Sequence, residues 1–251
     1  MRPAARSSFG RPADPPLAAF QSIQLGRRVV YLHRDLATSA STIVPSLNSL
    51  RTGRGAGNRL SGFPLTLADG TKLFVRMNHR GGLIRWAVRD IYIGFRARPL
   101  RELAVAEEAF RRGIPIAEPM GAVVEWVAPI AYRGLFITRA LAGMTLWKFL
   151  RTDDDPFVRS YLIEQTRQAL DIMHRRGLFH ADLNLHNLFV AQSGESFTVA
   201  ILDLDKARLF PGPLPAGMRQ RNLARLRDSV HKLDPDRRYL DSHGLELLTR
   251  G

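Results

Sequence analysis

Cysteine is absent from the 251-residue chain. That removes disulfides, thiolate zinc sites and thiol nucleophiles, and fits a reducing compartment. Lysine is nearly absent too, standing only at positions 72, 148, 206 and 232, so the net charge of +14 is carried almost wholly by arginine. No run of about 18 or more apolar residues occurs, so no transmembrane helix is expected, and the N-terminus lacks the apolar stretch of a secretory signal. Internal repeats are missing as well. What is present is 45% hydrophobic and 24% charged, ordinary for a globular protein and sufficient for one bilobed domain or two small ones. A surface this basic attracts polyanions, whether nucleotide, nucleic acid or an anionic membrane.

Residues 1–19 are polar, Pro-rich and basic, and read as a disordered tail. Arg28-Val29-Val30-Tyr31-Leu32 has the character of a strand. The Gly-rich stretch Arg51–Arg59 then leads into Phe63-Pro64-Leu65-Thr66-Leu67, a turn at Ala68-Asp69-Gly70, and Lys72-Leu73-Phe74-Val75-Arg76. Two short strands around a two-residue Asp-Gly turn predict a hairpin. Pro99–Arg112 predicts a helix with Leu103, Ala106, Ala109 and Phe110 on one stripe and Gly113 as its stop. Val123–Val127 and Leu135–Thr138 read as further strands, and Arg139–Gly143 as a linker between lobes. Acids at Asp153-Asp154-Asp155 open helical sequence whose apolar face is Leu162, Ile163, Ala169, Leu170 and Met173. Two strands (Leu188–Ala191 and Thr198–Leu202) and a basic helix (Arg219–Leu233) complete the pattern.

The chemistry concentrates in His180-Ala181-Asp182-Leu183-Asn184-Leu185-His186-Asn187 and, sixteen residues on, in Ile201-Leu202-Asp203-Leu204-Asp205. A carboxylate, a carboxamide five residues later and a second carboxylate closing an apolar run fit phosphoryl transfer of the protein-kinase-like type. Asp182 is the expected base, taking the proton of the acceptor hydroxyl. Asn187 and Asp203 offer hard oxygen ligands to Mg2+ on the phosphates of ATP. Gly53, Gly55 and Gly57 present backbone N–H groups that could cradle phosphate. Arg76 stands where kinases carry a strand lysine, and Glu102 is its expected helix partner. Lys72 shares that strand face but lies roughly 13 Å away at about 3.3 Å per residue. A rival reading makes His174, His180, Asp182 and His186 the ligands of a metal phosphohydrolase; it leaves Asn187 and Asp203 without roles.

On these residues the chain resembles the lipopolysaccharide kinases, in particular the 3-deoxy-D-manno-octulosonic acid (Kdo) kinases. The resemblance runs through Gly53-Arg54-Gly55, Val75-Arg76 with His79-Arg80-Gly81-Gly82-Leu83, Arg101-Glu102-Leu103, Gly113-Ile114-Pro115-Ile116, the His180–Asn187 string, Leu202–Lys206 and Asn222–Arg227. It implies an α+β, bilobed protein-kinase-like fold, with a sheet-rich N-lobe over 20–138, a minimal helical C-lobe over 139–240 and a C-terminal tail over 241–251. It further implies ATP-dependent phosphorylation of a Kdo hydroxyl on the lipid A precursor, carried out peripherally at the cytoplasmic face of the bacterial inner membrane. A heptose or other glycolipid kinase is the nearest alternative, a protein kinase a more distant one, and a non-catalytic polyanion- or membrane-binding protein the alternative outside the enzymes. Lys206-Ala207 departs from the Arg-Gly common in the family. Ala181 replaces the arginine that receives a phosphorylated activation loop in many protein kinases, and no Ala-Pro-Glu segment follows Asp203. The expected partners are therefore an anionic glycolipid and an anionic membrane surface, with no nucleic acid expected. Arg80, Arg85, Arg89, Arg96, Arg98 and Arg101, interleaved with Trp86, Tyr92 and Phe95, are the segment read as docking on lipid head groups.

Overall fold

The alternating apolar pattern of the first half becomes a seven-stranded antiparallel sheet. A computed structural model describes residues 17–43, 45, 62–77, 91–94, 97–153, 155–194 and 196–250. The strands are β1 (Phe20–Leu25), β2 (Arg28–His33), β3 (Gly62–Thr66), β4 (Lys72–Met77), β5 (Tyr92–Ile93), β6 (Pro119–Ala128) and β7 (Ala131–Arg139). Their order is β1-β2-β6-β7-β4-β3, with β5 also pairing with β7. Along β4 the period-2 rule is explicit: Leu73 and Val75 are fully buried, whereas Phe74 and Arg76 face the other way. Leu73 and Val75 pack with Val30, Leu32, Met120 and Ile137 in a small core on one face of the sheet.

The β3–β4 hairpin is present, but its turn is longer than the two residues expected. Leu67 N–H donates to the Thr71 carbonyl at 2.9 Å, leaving residues 68–70 as the loop, and the Asp69 carboxylate caps the Thr71 N–H at 2.8 Å. An Asx cap of this kind closes the loop without a tight two-residue turn.

Helix α1 (Arg98–Arg111) crosses the other face of the sheet and buries Leu100, Leu103, Ala106 and Ala109. Phe110, expected on that stripe, is instead 45% exposed, because it falls in the last turn just before the chain reverses. The reversal is a Schellman motif: Gly113 N–H bonds the Phe110 carbonyl, Ile114 N–H bonds that of Ala109, and Gly113 sits at φ +68°. Asp205 draws Arg98 and Arg101 from the first turn of α1, an ion pair at 3.7 Å and a hydrogen bond to its carbonyl at 3.0 Å.

Residues 143–250 form the second half. It holds short strand β8 (Gly143–Thr145), α2 (Leu146–Thr152), α3 (Pro156–Arg175), β9 (Leu178–His180), β10 (Leu188–Ser193), β11 (Ser196–Ile201), β12 (Ala207–Leu209), α4 (Ala216–Leu233) and α5 (Ser242–Leu248). Asp155 caps α3 by accepting from Phe157 N–H at 2.8 Å, with Pro156 in the first turn. Helix α5 lies within 241–251, the segment read as a tail, and buries Leu245 and Leu248. None of the helices among the described residues is long and apolar enough to cross a membrane.

The halves share the larger core, in which Leu103 and Ile114 of the first belong with Leu178 and Leu204 of the second. Polar ties add to it. Arg112 donates to the Phe210 and Arg176 carbonyls at 2.6 and 3.0 Å, Arg176 donates to the Gly113 carbonyl, and Ile201 N–H donates to the Pro115 carbonyl at 2.7 Å. The one covalent connection between the halves in this region passes Gly143, at φ +145°, where a Cβ would collide with the Val190 carbonyl of β10. Between the halves lies a cleft of about 1020 Å³.

Candidate active site

Arg76, Asp182, Asn187 and Asp203 all line this cleft, and Glu102 stands directly behind Arg76. Gly53, Gly55 and Gly57, along with Arg80, Arg85, Trp86, Arg89, Phe95 and Arg96 of the Arg80–Arg101 segment, lie outside the described residues. Of the rest, Arg98 and Arg101 are tied to Asp205, and Tyr92 is 5% exposed and stacked on Tyr132 with a centroid distance of 5.7 Å. Tyr92 thus belongs to the core, so it is no interfacial anchor.

The loop after β9 is built by short-range hydrogen bonds. Asp182 N–H donates to His180 Nδ1 at 3.2 Å, so Nδ1 is the acceptor nitrogen, and Nε2 carries the proton that bonds the Leu202 carbonyl at 2.9 Å. Burial holds the His180 pKa below its ordinary value, in keeping with a neutral ring. The ring joins the loop to the segment preceding Asp203. Asn184 Oδ1 accepts the N–H groups of His186 and Asn187 at 2.9 and 3.2 Å, while its Nδ2 donates to the Asp182 carbonyl at 2.8 Å. Asn187 Nδ2 donates to the same carbonyl at 2.9 Å. With its amide donor used there, Asn187 keeps Oδ1 as the atom able to meet a cation.

Asp203 follows β11 at φ +60°, a left-handed conformation that Asp tolerates better than bulkier residues. It is held from above: Arg76 Nη1 donates to Asp203 Oδ1 at 2.5 Å, and Arg76 Nη2 pairs with Glu102 Oε1. The expected Arg76–Glu102 pair is therefore present. Lys72, at the exposed start of β4, is not part of it. Glu102 is 1% exposed and its Oε2 lacks a hydrogen-bond partner among the described residues. Burial pushes its carboxyl up to about 8; Asp203 and Asp205 add to the rise, and the Arg76 charge opposes it. Arg76 thus bridges Glu102 and Asp203, while Arg98 pairs with Asp205. Asp203 and Asn187, both on the cleft, offer the one or two protein oxygens that a hard divalent cation brought in with phosphates needs. No group of three or more His, Cys, Asp or Glu side chains able to hold a metal occurs among the described residues. With His174 and His180 buried, the four-ligand reading through His174, His180, Asp182 and His186 is set aside.

Two features of the site go beyond the roles that the motifs assign. The first is Phe74, which lines the cleft, as does Phe189, and whose ring lies over Gly62, where a Cβ would come within 2.6 Å of it. The second is helix α4. Buried Asn222 grips the backbone of His180 from both sides, accepting from its N–H at 3.3 Å and donating to its carbonyl at 2.6 Å. Arg225 reaches Asp182 Oδ1 with Nε at 3.2 Å and Nη2 at 2.6 Å, and Ser229 accepts the Leu185 N–H at 3.3 Å. The signal available in the sequence was polar residues at i, i+3 and i+7 on a helix that otherwise buries Leu223, Leu226 and Val230.

Comparison with known proteins agrees with this fold. Solved structures similar in fold include one described as WaaP in complex with acyl carrier protein, with a TM-score of 0.54 at 18% identity over 88% of this chain and 89% of that one. Another is the Rio2 kinase of Chaetomium thermophilum, at 0.50 and 10% identity over 93% and 73% of the two chains. Both are kinase-like, and the bilobed architecture of this chain is of that type. Among curated proteins, 3-deoxy-D-manno-octulosonic acid kinases of Xylella fastidiosa strains 9a5c and M12 are 31% and 32% identical over 167 and 168 residues. Those stretches are 65% of this chain and 63% of each relative, so the chain spans just under two thirds of their length. The family model described as lipopolysaccharide kinase (Kdo/WaaP) matches residues 54–242, a span holding Arg76, Glu102, Asp182, Asn187, Asp203 and Arg225, and the chain belongs to that family.

Proposed function

We propose that this protein is an ATP-dependent kinase that phosphorylates a sugar hydroxyl of Kdo on the lipid A precursor, working peripherally at the cytoplasmic face of the inner membrane. The observation that carries the reading is the convergence of Asp182, Asn187 Oδ1, Asp203 and Arg76 on one cleft of a kinase-like fold. The relatives named as Kdo kinases supply the acceptor. The basic surface favours an anionic membrane carrying that acceptor.

In this reading the nucleotide base enters between Phe74 and Phe189, and Arg76, held by Glu102, meets the phosphates. The acceptor oxygen forms its bond to the γ-phosphorus as the bond from that phosphorus to the β–γ bridging oxygen breaks, releasing ADP. The acceptor's hydroxyl proton passes to the Asp182 carboxylate. Asn187 and Asp203 would hold Mg2+, which when bound neutralises the charge on the phosphates. Positioning and electrostatics account for most catalysis of this kind.

The test is incubation with MgATP and Kdo–lipid A precursor followed by mass spectrometry of the glycolipid. One phosphate added to Kdo is expected, and its loss in Asp182→Ala. Phosphate on a heptose instead would reassign the acceptor, and ATP binding without transfer to any glycolipid would remove the reading.

A further inference from the structure

The loop from His180 to Asn187 contains no Arg or Lys. The cation that touches the Asp182 carboxylate comes instead from α4, forty-three residues along the chain. We propose that Arg225 is the positioning residue of that carboxylate: it fixes Oδ1 with two N–H groups and thereby presents Oδ2 to the acceptor hydroxyl. The inference rests on the kinase reading above and adds to it a residue that none of the motif's own positions supplies.

The two contacts fall on the same oxygen, from Nε at 3.2 Å and Nη2 at 2.6 Å, and among the described residues no side-chain donor bonds Oδ2. An exposed ion pair alone would argue for little, since both side chains are partly solvated, Arg225 at 55% and Asp182 at 39%. Here the pair is bracketed. Three residues before Arg225, buried Asn222 clamps the His180 backbone, and four residues after it Ser229 takes the Leu185 N–H. The helix is thus pinned to the loop on both sides of Asp182, and the guanidinium has a fixed origin from which to aim the carboxylate. In a reaction with a loose transition state, in which positioning dominates, this is where such a residue has its effect. Arg225 is not itself among the residues that line the cleft; it meets the cleft through Asp182.

The experiment compares wild-type protein with Arg225→Ala and Arg225→Lys for kcat, KM for ATP and for acceptor, basal ATP hydrolysis and Tm. Arg225→Ala is expected to lose on the order of 100-fold in kcat, the scale of a misplaced reacting group, with the KM for ATP and Tm unchanged. Added guanidinium restores part of that loss. Arg225→Lys falls between, because an ammonium cannot place two N–H groups in a planar fork. Unchanged kcat in Arg225→Ala overturns the proposal. So does a loss that tracks a fall in Tm and resists guanidinium, which would make the pair a strut, or a rise confined to the KM for acceptor, which would make Arg225 a binding residue. Hydrolysis with water as acceptor separates this idea from the function it rests on. If no glycolipid is phosphorylated but hydrolysis still depends on Arg225, the acceptor assignment fails and the role of Arg225 stands.

Discussion

The two walls of the cleft are held by different physics. The lower wall is an almost neutral lattice in which His180, Asn184, Asn187 and Asn222 satisfy one another and the backbone. The upper wall is ionic, with Arg76 between Glu102 and Asp203 and a buried carboxylate oxygen left unpartnered. A satisfied network in a low-dielectric setting fixes geometry and changes little with solution conditions. A cluster built around a buried acid whose carboxyl is raised to about 8 is instead sensitive to pH. The loop that carries Asp182 is accordingly preformed, whereas the charge balance of the Arg76 wall changes with pH.

The largest effect should come from breaking the neutral lattice. Asn222→Leu keeps the volume of the side chain but strands the His180 N–H inside the protein and leaves its carbonyl only the longer bond from Leu183 N–H at 3.3 Å. A buried unpaired group costs about 1–3 kcal/mol, so a loss at the upper end of that range is expected in urea melts, with kinase activity falling as well. If stability fell by less than in Arg76→Met, the lower wall would not be the more rigid of the two.

The ionic wall should answer differently to single and double changes. Arg76→Met leaves Asp203 without its ion pair and Glu102 without its partner, and should destabilise by less than the roughly 3–5 kcal/mol seen when one partner of a buried ionised pair is removed, because Glu102 keeps its proton up to about pH 8. Replacing both, Arg76→Met with Glu102→Leu, removes the stranded acid and should recover most of that stability, because buried pairs often contribute little net. Phosphoryl transfer should stay lost in both variants. A double mutant as unstable as the single would show the pair to be a net stabiliser, and the contrast between the walls would shrink.

Much of the site's arrangement was legible in the sequence, because Asp182, Asn187 and Asp203 lie close together along the chain with fixed spacing and meet on one cleft. Arg76 and Glu102 were legible too, although 26 residues separate them, since one occupies a strand position and the other a helix position that kinase-like sites bring together. The support from α4 was legible only as a stretch: Asn222–Arg227 belongs to the family resemblance, but nothing in a helical period says what its polar face will touch. Phe74 over Gly62 was hidden for a similar reason: cross-strand register, with Gly62 opposite Arg76 and Pro64 opposite Phe74, brings them together. Strands of three residues such as β8, β9 and β12 are too short to show a period. Phe110 and Tyr92 were misassigned because periodicity and composition carry no information on where the sheet ends or which aromatic it covers.

The subtlest difference between the walls is their response to pH. Glu102, with its carboxyl raised by burial from 4.5 to about 8, keeps its proton in the folded state over a range where the unfolded chain has released it. A group of this kind contributes stability that is complete below about pH 4.5 and disappears as pH climbs towards about 8. In metal-free protein, therefore, Tm should decline between those limits, and Glu102→Gln, which cannot titrate, should flatten the decline while changing Tm little at pH 5. His180 provides the contrast from the lower wall. Its lowered pKa gives stability present above about 6.5 that is lost as pH falls, so His180→Gln should lower Tm at every pH through the lost ring contacts while removing the fall on the acid side of the curve. Thermal melts of the three proteins across pH 5 to 9 read both slopes at once. A decline as steep in Glu102→Gln as in wild type would mean that Arg76 holds Glu102 ionised throughout, making the upper wall as insensitive to pH as the lower.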